Sequence, residues 1–372
     1  MKRIYSLDVL RGLAIFLMIF IDAAPIQEET YPILAHALWE GLTLADLPFP
    51  CFVFVMGMSA AISMARRVPS TKKILKRAAI LFALGVLFNS LDFILSWLLL
   101  DDFTSADFFK QAVVQIRPFG ILQRLALVYL FGTLLARAIK NDAGIFIAAV
   151  VLLILSSAGF HIYAPDNPFA IEHNISSAVD LIFPGANHIY EENYDPEGLY
   201  GTIASVTSFL IGYLAGRILI DNASARDKFF LLGVAGVIFF IAGGVWSNFD
   251  IIAKKLWTAP YTLINAGIDV FLLIVLTYLP DKIPKLKKFL QPLNALGTNP
   301  LFFFLMSGFA LVLVFTMPLE IEGVLFYLWI YQYIFYNLIG PEIGSMIFCL
   351  LWSLPWLVLA EIFYRRGIVI KI

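Results

Sequence analysis
Stretches of about 20 apolar residues recur along the whole chain, and each is long enough to cross the hydrocarbon of a bilayer as a helix. They fall at Leu7–Ala24, Asp46–Ala65, Ala78–Trp97, Pro118–Ala138, Ala143–Phe160, Gly198–Ile220, Phe229–Trp246, Pro260–Leu279, Leu296–Thr316 and Glu342–Phe363. No polar block between them is long enough to fold alone. Only 14% of the 372 residues are charged, against 60% hydrophobic, whereas a soluble domain carries roughly 25% charged residues. Such a composition cannot cover a water-exposed surface. The expected fold is an all-α integral membrane protein, a bundle of about ten transmembrane helices, forming one domain over residues 1–372. The segment Val324–Ile339 is shorter and rich in Tyr and Trp, and it is expected as a helix lying in the outer interface before the last span.

Basic residues set the orientation. Arg66, Arg67, Lys72, Lys73, Lys76 and Arg77 fall together with no acid among them, and Lys282, Lys285, Lys287 and Lys288 form a second group. Both share a side with Lys2 and Arg3, so that side is read as cytoplasmic, with both termini on it. Asp8 and Arg11 interrupt the start of the first apolar run, which reads as a retained helix rather than a signal peptide. The long loop His161–Glu197 holds seven acids and no Lys or Arg and belongs outside, as does His36. Cys51 and Cys349 sit inside apolar runs as small hydrophobes. The net charge of −1 gives no reason for a nucleic-acid partner.

Ionisable groups inside apolar runs are costly and point to function or to pairing. Asp22, Asp92, Arg124, Asp269 and Glu361 are in this position. Asp8 with Arg11 reads as a structural pair, and Glu361 with Arg365 and Arg366 marks the inner interface. The outer stretch His36-Ala-Leu-Trp39-Glu40-Gly41-Leu-Thr43-Leu-Ala-Asp46-Leu-Pro48-Phe49-Pro50 differs from these. Asp46 has the residue type of a helix N-cap, and Pro48 and Pro50 suit a first turn. The second span would then point its positive dipole end toward His36, with Asp22 at the outer end of the first. A His between two carboxylates beside a helix N-terminus has the parts for acid–base chemistry on an acyl group. A sugar permease using the same outer pocket is the alternative, although a permease needs no base.

The run His36–Gly57 closely resembles the heparan-alpha-glucosaminide N-acetyltransferase family. So do Ser6-Leu-Asp8-Val-Leu-Arg11-Gly12, Gly120-Ile-Leu-Gln123-Arg124, Tyr194-Asp195-Pro-Glu197-Gly198, Lys254-Lys-Leu-Trp257, Leu296-Gly-Thr-Asn299-Pro300 and the closing Tyr364–Ile372. The resemblance implies a transmembrane acetyltransferase. Its donor would be cytoplasmic acetyl-CoA and its acceptor the amine of glucosamine or a glucosamine-terminated glycan on the outer side. No metal is implied. His36 corresponds to the residue regarded as catalytic in that family, with Asp46 and Asp22 beside it. Trp39, Glu40, Asp195, Glu197, Lys254 and Trp257 are expected toward the substrate, and Arg124 and Asn299 toward the donor. Asp22 and Ala253 stand where the family usually has Asn. The expected partners are the bilayer, the amino-sugar or glycan acceptor and a second copy of the chain in a homodimer. The expected location is a bacterial inner membrane, with His36 near the periplasmic face.

Overall fold
The computed structural model describes residues 4–370; Lys2, Arg3 and Lys371 lie outside them. The described residues are mostly helical, with a single short two-stranded hairpin. The long helices are α1 (Tyr5–Asp22), α2 (Pro48–Arg66), α3 (Thr71–Asn89), α4 (Leu91–Leu99), α5 (Ile121–Ile139), α6 (Asp142–Tyr163), α7 (Leu199–Ile220), α8 (Ala225–Trp246), α9 (Ala259–Lys282), α10 (Pro300–Thr316) and α11 (Pro341–Arg365). Every expected apolar run coincides with one of them, the third with the pair α3 and α4. Among the described residues, seven are long and apolar enough to cross a membrane, and the bent pair α3–α4 makes an eighth if taken as one span. The other two runs fall short for identifiable reasons. Helix α1 carries Asp8, Arg11 and Asp22 within 18 residues, and α10 has only 17 residues.

Two helices form the centre. A Cβ on Gly57 of α2 would stand 2.0 Å from the Phe209 carbonyl oxygen, and one on Gly212 of α7 would stand 2.0 Å from that of Phe54. Glycine at both points therefore lets the two backbones touch, which is how helices gain contact when lipid supplies no hydrophobic drive between them. Around this pair lies a continuous apolar core that includes Ile15, Val53, Leu122, Val128, Phe209 and Phe303. By contrast, α8 and α11 leave Phe229, Phe230, Ile241, Leu350 and Val358 exposed. A helix apolar on its outer face needs an apolar solvent, and these sides face lipid.

Local chemistry sets the helix starts. Ser224 accepts from the Asp227 N–H at the head of α8, and Asn141 accepts from the Gly144 N–H at the head of α6. Pro48 and Pro50 occupy the first turn of α2, as expected. Asp46 does not cap that helix. It ends a 3₁₀ turn, Leu44–Asp46, and its carboxylate turns back to the Thr43 N–H and hydroxyl. The segment expected as one interfacial helix is broken. A short hairpin (Glu320–Ile321 with Val324–Leu325) leads into helical pieces at Phe326–Ile330, Tyr331–Tyr336 and Asn337–Ile339. The Asp8–Arg11 pair forms at 2.9 Å and Glu361–Arg365 at 2.8 Å.

Candidate active site
Three segments meet over one end of the α2–α5–α9 group: the α1–α2 loop, the α8–α9 loop and the stretch leading into α7. Backbone bonds tie the first two together, with the Gly41 N–H donating to the Ile252 carbonyl at 2.7 Å. Between the three segments lies a cavity of about 490 Å³, lined among others by Asp22, His36, Asp46, Arg124, Glu197 and Lys254. Most of the residues singled out from sequence therefore converge on one space.

At its edge, His36 Nδ1 lies 2.9 Å from Asp46 Oδ1. Asp46 is fully buried. Its second oxygen accepts from the Ala37 N–H at 3.2 Å, the Thr43 N–H at 3.1 Å and the Thr43 hydroxyl at 3.0 Å, and the Tyr261 hydroxyl donates to its backbone carbonyl. A carboxylate held this firmly is an acceptor only, so a neutral ring that donates to it does so from Nδ1 and has Nε2 as its basic nitrogen. Asp22 lines the cavity without bonding to the ring. The residue that orients His36 is Asp46.

Lys254 is the third member of the group. Its Nζ lies 3.0 Å from His36 Nδ1, 3.5 Å from Nε2 and 3.5 Å from Asp46 Oδ1. Burial pushes the Lys254 ammonium below the usual lysine range, against the opposing pull of Asp46, Glu197 and Asp22. Ala253, which precedes it, is buried with Leu256 in a small cluster beside Trp39 and Tyr200.

Asp195 and Glu197 are engaged by a residue that sequence reading passed over. Arg117 donates through Nε and Nη2 to the two oxygens of Asp195 at 2.7 and 2.6 Å, and through Nη2 to Glu197 at 2.5 Å. Burial alone would lower the Arg117 pKa, but the two acids outweigh it and raise it. Asp180, also unforeseen, accepts from the Asp195 N–H at 3.0 Å, and burial raises its carboxyl to about 7. Both residues sit in stretches without apolar periodicity, so only the acid-rich character of the loop could have flagged the neighbourhood.

The remaining candidates separate. Trp39 donates to the Phe169 carbonyl and meets Tyr194 edge-on at 5.1 Å. Glu40 is exposed and does not line the cavity. Trp257 is fully buried in the cavity wall, 5.1 Å beneath the Arg124 guanidinium. Arg124 has no ion-pair partner among the described residues; its Nη2 donates to the Gly198 carbonyl at 2.9 Å. Asn299 lines a different cavity, of about 340 Å³, and clamps the chain end through the Ile368 carbonyl and the Ile370 N–H. That second cavity is lined by Phe52, Met56, Leu125 and Tyr129, about one helical turn and more along α2 and α5 from the first. A third cavity, of about 670 Å³, adjoins it through Arg11, Ser59 and Ser63 and is lined by Arg66, Arg67, Lys73 and Arg137. No group of three or more His, Cys, Asp or Glu suited to a metal occurs among the described residues.

The family model described as heparan-alpha-glucosaminide N-acetyltransferase, catalytic, matches residues 3–243. That range holds His36, Asp46, Asp22, Arg124, Asp195 and Glu197, while Lys254, Trp257 and Asn299 follow it. The mouse and human proteins named heparan-alpha-glucosaminide N-acetyltransferase are each 26% identical over 336 residues, covering 74% of this chain and 49% and 48% of theirs. The chain thus spans about half the length of the curated relatives it matches. With well over half of its residues under the catalytic model, this chain belongs to the heparan-alpha-glucosaminide N-acetyltransferase family.

Proposed function
We propose that the protein is a transmembrane acetyltransferase, moving acetyl from cytoplasmic acetyl-CoA to the amine of glucosamine or a glucosamine-terminated glycan on the outer side. The observation that carries this reading is the His36–Asp46 pair at the edge of a cavity. An amine that attacks a thioester through its lone pair becomes cationic and must lose a proton before the amide can form. An imidazole whose Nδ1 is held by a carboxylate is suited to take it on Nε2.

The inner cavities fit the donor. Coenzyme A is a polyanion with a long, thin arm. Arg66, Arg67, Lys73 and Arg137 offer cations for its phosphates, and the Phe52–Met56–Leu125 shaft offers apolar walls for the arm. When bound, the donor supplies an activated acetyl group; the chain's own residues bind, orient and take up the proton. Asn299 would border the arm, and Arg124 its acyl end. On the outer side, Lys254 and Asp46 balance each other's charge beside the ring. Asp195 and Glu197 act through Arg117, which they hold at the cavity wall. Asp22 and the open side of Glu197 are the carboxylates facing an incoming ammonium, with Trp257 as the apolar floor. Trp39 and Glu40 belong to the rim over which a glycan extends.

The basic groups on one side and the acid-rich loop on the other support the topology that the reading needs. Ten spans, both termini cytoplasmic, satisfy it, with α1 largely buried in the bundle and α10 crossing as a short span. The whole chain then acts as one catalytic domain. The deciding experiment is a proteoliposome assay with acetyl-CoA on the cytoplasmic side and labelled glucosamine outside. N-acetylglucosamine should accumulate outside; uptake of unmodified sugar without acetylation would reject the reading.

A further inference from the structure
Two side chains between the cavities hold polar atoms with no partner. Gln123 is fully buried, and neither Oε1 nor Nε2 of its carboxamide is hydrogen-bonded. Arg124 is 1% exposed; Nη2 reaches the Gly198 carbonyl and the ring of Trp257 lies against the guanidinium, yet Nε and Nη1 bond to nothing. Both residues line the outer cavity. Asp195 and Glu197 are already held by Arg117. Buried donors without acceptors are costly, so this arrangement is built to receive an oxygen atom from a ligand.

The position of the pair along α5 indicates which oxygen. Ile121 and Leu122 line the outer cavity, and Leu125 and Tyr129 line the next one inward. On α2, Phe49 and Phe52 divide in the same way. Gln123 and Arg124 therefore stand at the level where a thioester arriving from inside meets an amine arriving from outside. A second property concerns charge. A guanidinium without a direct ion pair, fixed by Gly198 and Trp257, gives little to a neutral carbonyl and much to the same oxygen once it turns anionic. That difference is what lowers a barrier.

We propose that the Gln123 carboxamide and the Nε–Nη1 edge of Arg124 hold the acetyl carbonyl oxygen and the negative charge that develops on it. The proposal rests on the acetyltransferase reading above. The acceptor nitrogen attacks the carbonyl carbon with its lone pair, a C–N bond forms, and the carbonyl π pair moves to oxygen, where Gln123 and Arg124 meet it. His36 takes a proton from the nitrogen. The C=O then re-forms, the C–S bond breaks with its electron pair going to sulfur, and the proton passes to the departing thiolate. Amine and acetyl thioester become amide and free thiol. The same oxygen turns anionic if the His36 ring is the first nucleophile.

The test uses the full chain in detergent with acetyl-CoA labelled at the carbonyl carbon, read by infrared difference spectroscopy. In the wild type the thioester C=O stretch should shift to lower wavenumber on binding. Gln123→Leu should move the stretch back toward the free frequency, with Arg124 alone left on the oxygen, and lower kcat by about 10²–10³-fold, with the KM for acetyl-CoA nearly unchanged. Arg124→Gln should do the same, and because Arg124 also anchors Gly198, Gln123→Leu is the decisive variant. A Gln123→Leu protein with the wild-type shift overturns the proposal, whatever its activity. A turnover loss confined to acceptors that carry a phosphate or carboxylate also overturns it and reassigns the pair to acceptor binding. Wild-type protein that acetylates no amino sugar overturns the acetyltransferase reading itself, whereas active wild type with an unshifted carbonyl overturns only the donor role.

Discussion

Asp46 Oδ1 and His36 Nδ1 stand 2.9 Å apart across a ten-residue loop whose own N–H groups hold the other Asp46 oxygen. The carboxylate is buried and the ring is partly exposed, with side-chain accessibilities of 0% and 39%. This is a rigid acceptor under a reachable base. Its rigidity comes from local sequence: Thr43 and Asp46 satisfy each other around one 3₁₀ turn, a capping box that holds the carboxylate through contacts within the loop itself.

Removing the base should lower turnover while leaving donor binding intact, because the basic inner cavity lies far along the helices from His36. His36→Ala should lose about 10²–10⁴-fold in kcat. Asp46→Asn should lose a comparable factor, since a carboxamide can present its N–H₂ to the ring and select the wrong tautomer. Acetyl-CoA should still raise the melting temperature of both variants by mass action. A His36→Ala protein that keeps more than about a tenth of wild-type turnover would remove His36 from the chemistry.

The His36–Asp46 pair was legible because its partners are ten residues apart within one recognisable run. The role of Asp46 was not, since residue type alone cannot distinguish a carboxylate that caps the next helix from one that turns back onto its own loop. Lys254 reaches His36 from 218 residues away, a contact that no spacing rule predicts. The acids of the outer loop looked free because Arg117, 78 residues before Asp195, has no periodic signature of its own. The apolar runs each fell on a helix, with ends displaced by up to several residues, as where the third run begins at Ala78 and its helix at Thr71. Their count as spans was less legible, because α1 carries three charges: Asp8 and Arg11 are satisfied within the bundle, Arg11 reaching the Ser59 hydroxyl and the Gly297 carbonyl as well as Asp8, and Asp22 lines the cavity.

The Arg117 cluster should be a stability element as much as a site element. Asp195 is fully buried and binds Arg117 through both oxygens. Asp195→Ala leaves a largely buried guanidinium with only Glu197, and breaking such a pair typically costs about 3–5 kcal/mol. Thermal unfolding of the detergent-solubilised protein should register it as a clear drop in Tm. Glu197→Gln, which keeps an acceptor oxygen, should be much milder. Equal losses for the two would mean that the bidentate Asp195 contact is not the dominant one.

Orientation can be read by thiol labelling, because both native cysteines are buried. Ser70→Cys, in the basic stretch after α2, should react with an impermeant reagent only from the cytoplasmic side. His173→Cys, in the acid-rich loop, should react only from outside. Both positions are exposed. Labelling of the two from the same side would break the orientation on which a cytoplasmic donor and an outer acceptor depend.

The last prediction concerns Asp180 and pH. Its carboxyl is fully buried beneath the turn that starts α7, accepts the Asp195 N–H, and has one oxygen with no partner. Burial raises its pKa to about 7, against roughly 4 for an unfolded aspartate. An acid with a raised folded-state pKa favours the folded protein most when protonated. The contribution is therefore complete below about pH 4, fades as pH rises to 7, and is gone above. Three pH units correspond to something on the order of 4 kcal/mol. Asp180→Asn keeps an acceptor for the Asp195 N–H but never ionises. It should flatten the fall in stability between pH 4 and 7 and melt at a higher temperature than wild type at pH 8. Melting curves of both proteins across that range decide the matter. An Asn variant with the wild-type slope would show that Asp180 is already ionised in the folded protein, its charge offset by the Arg124 cation.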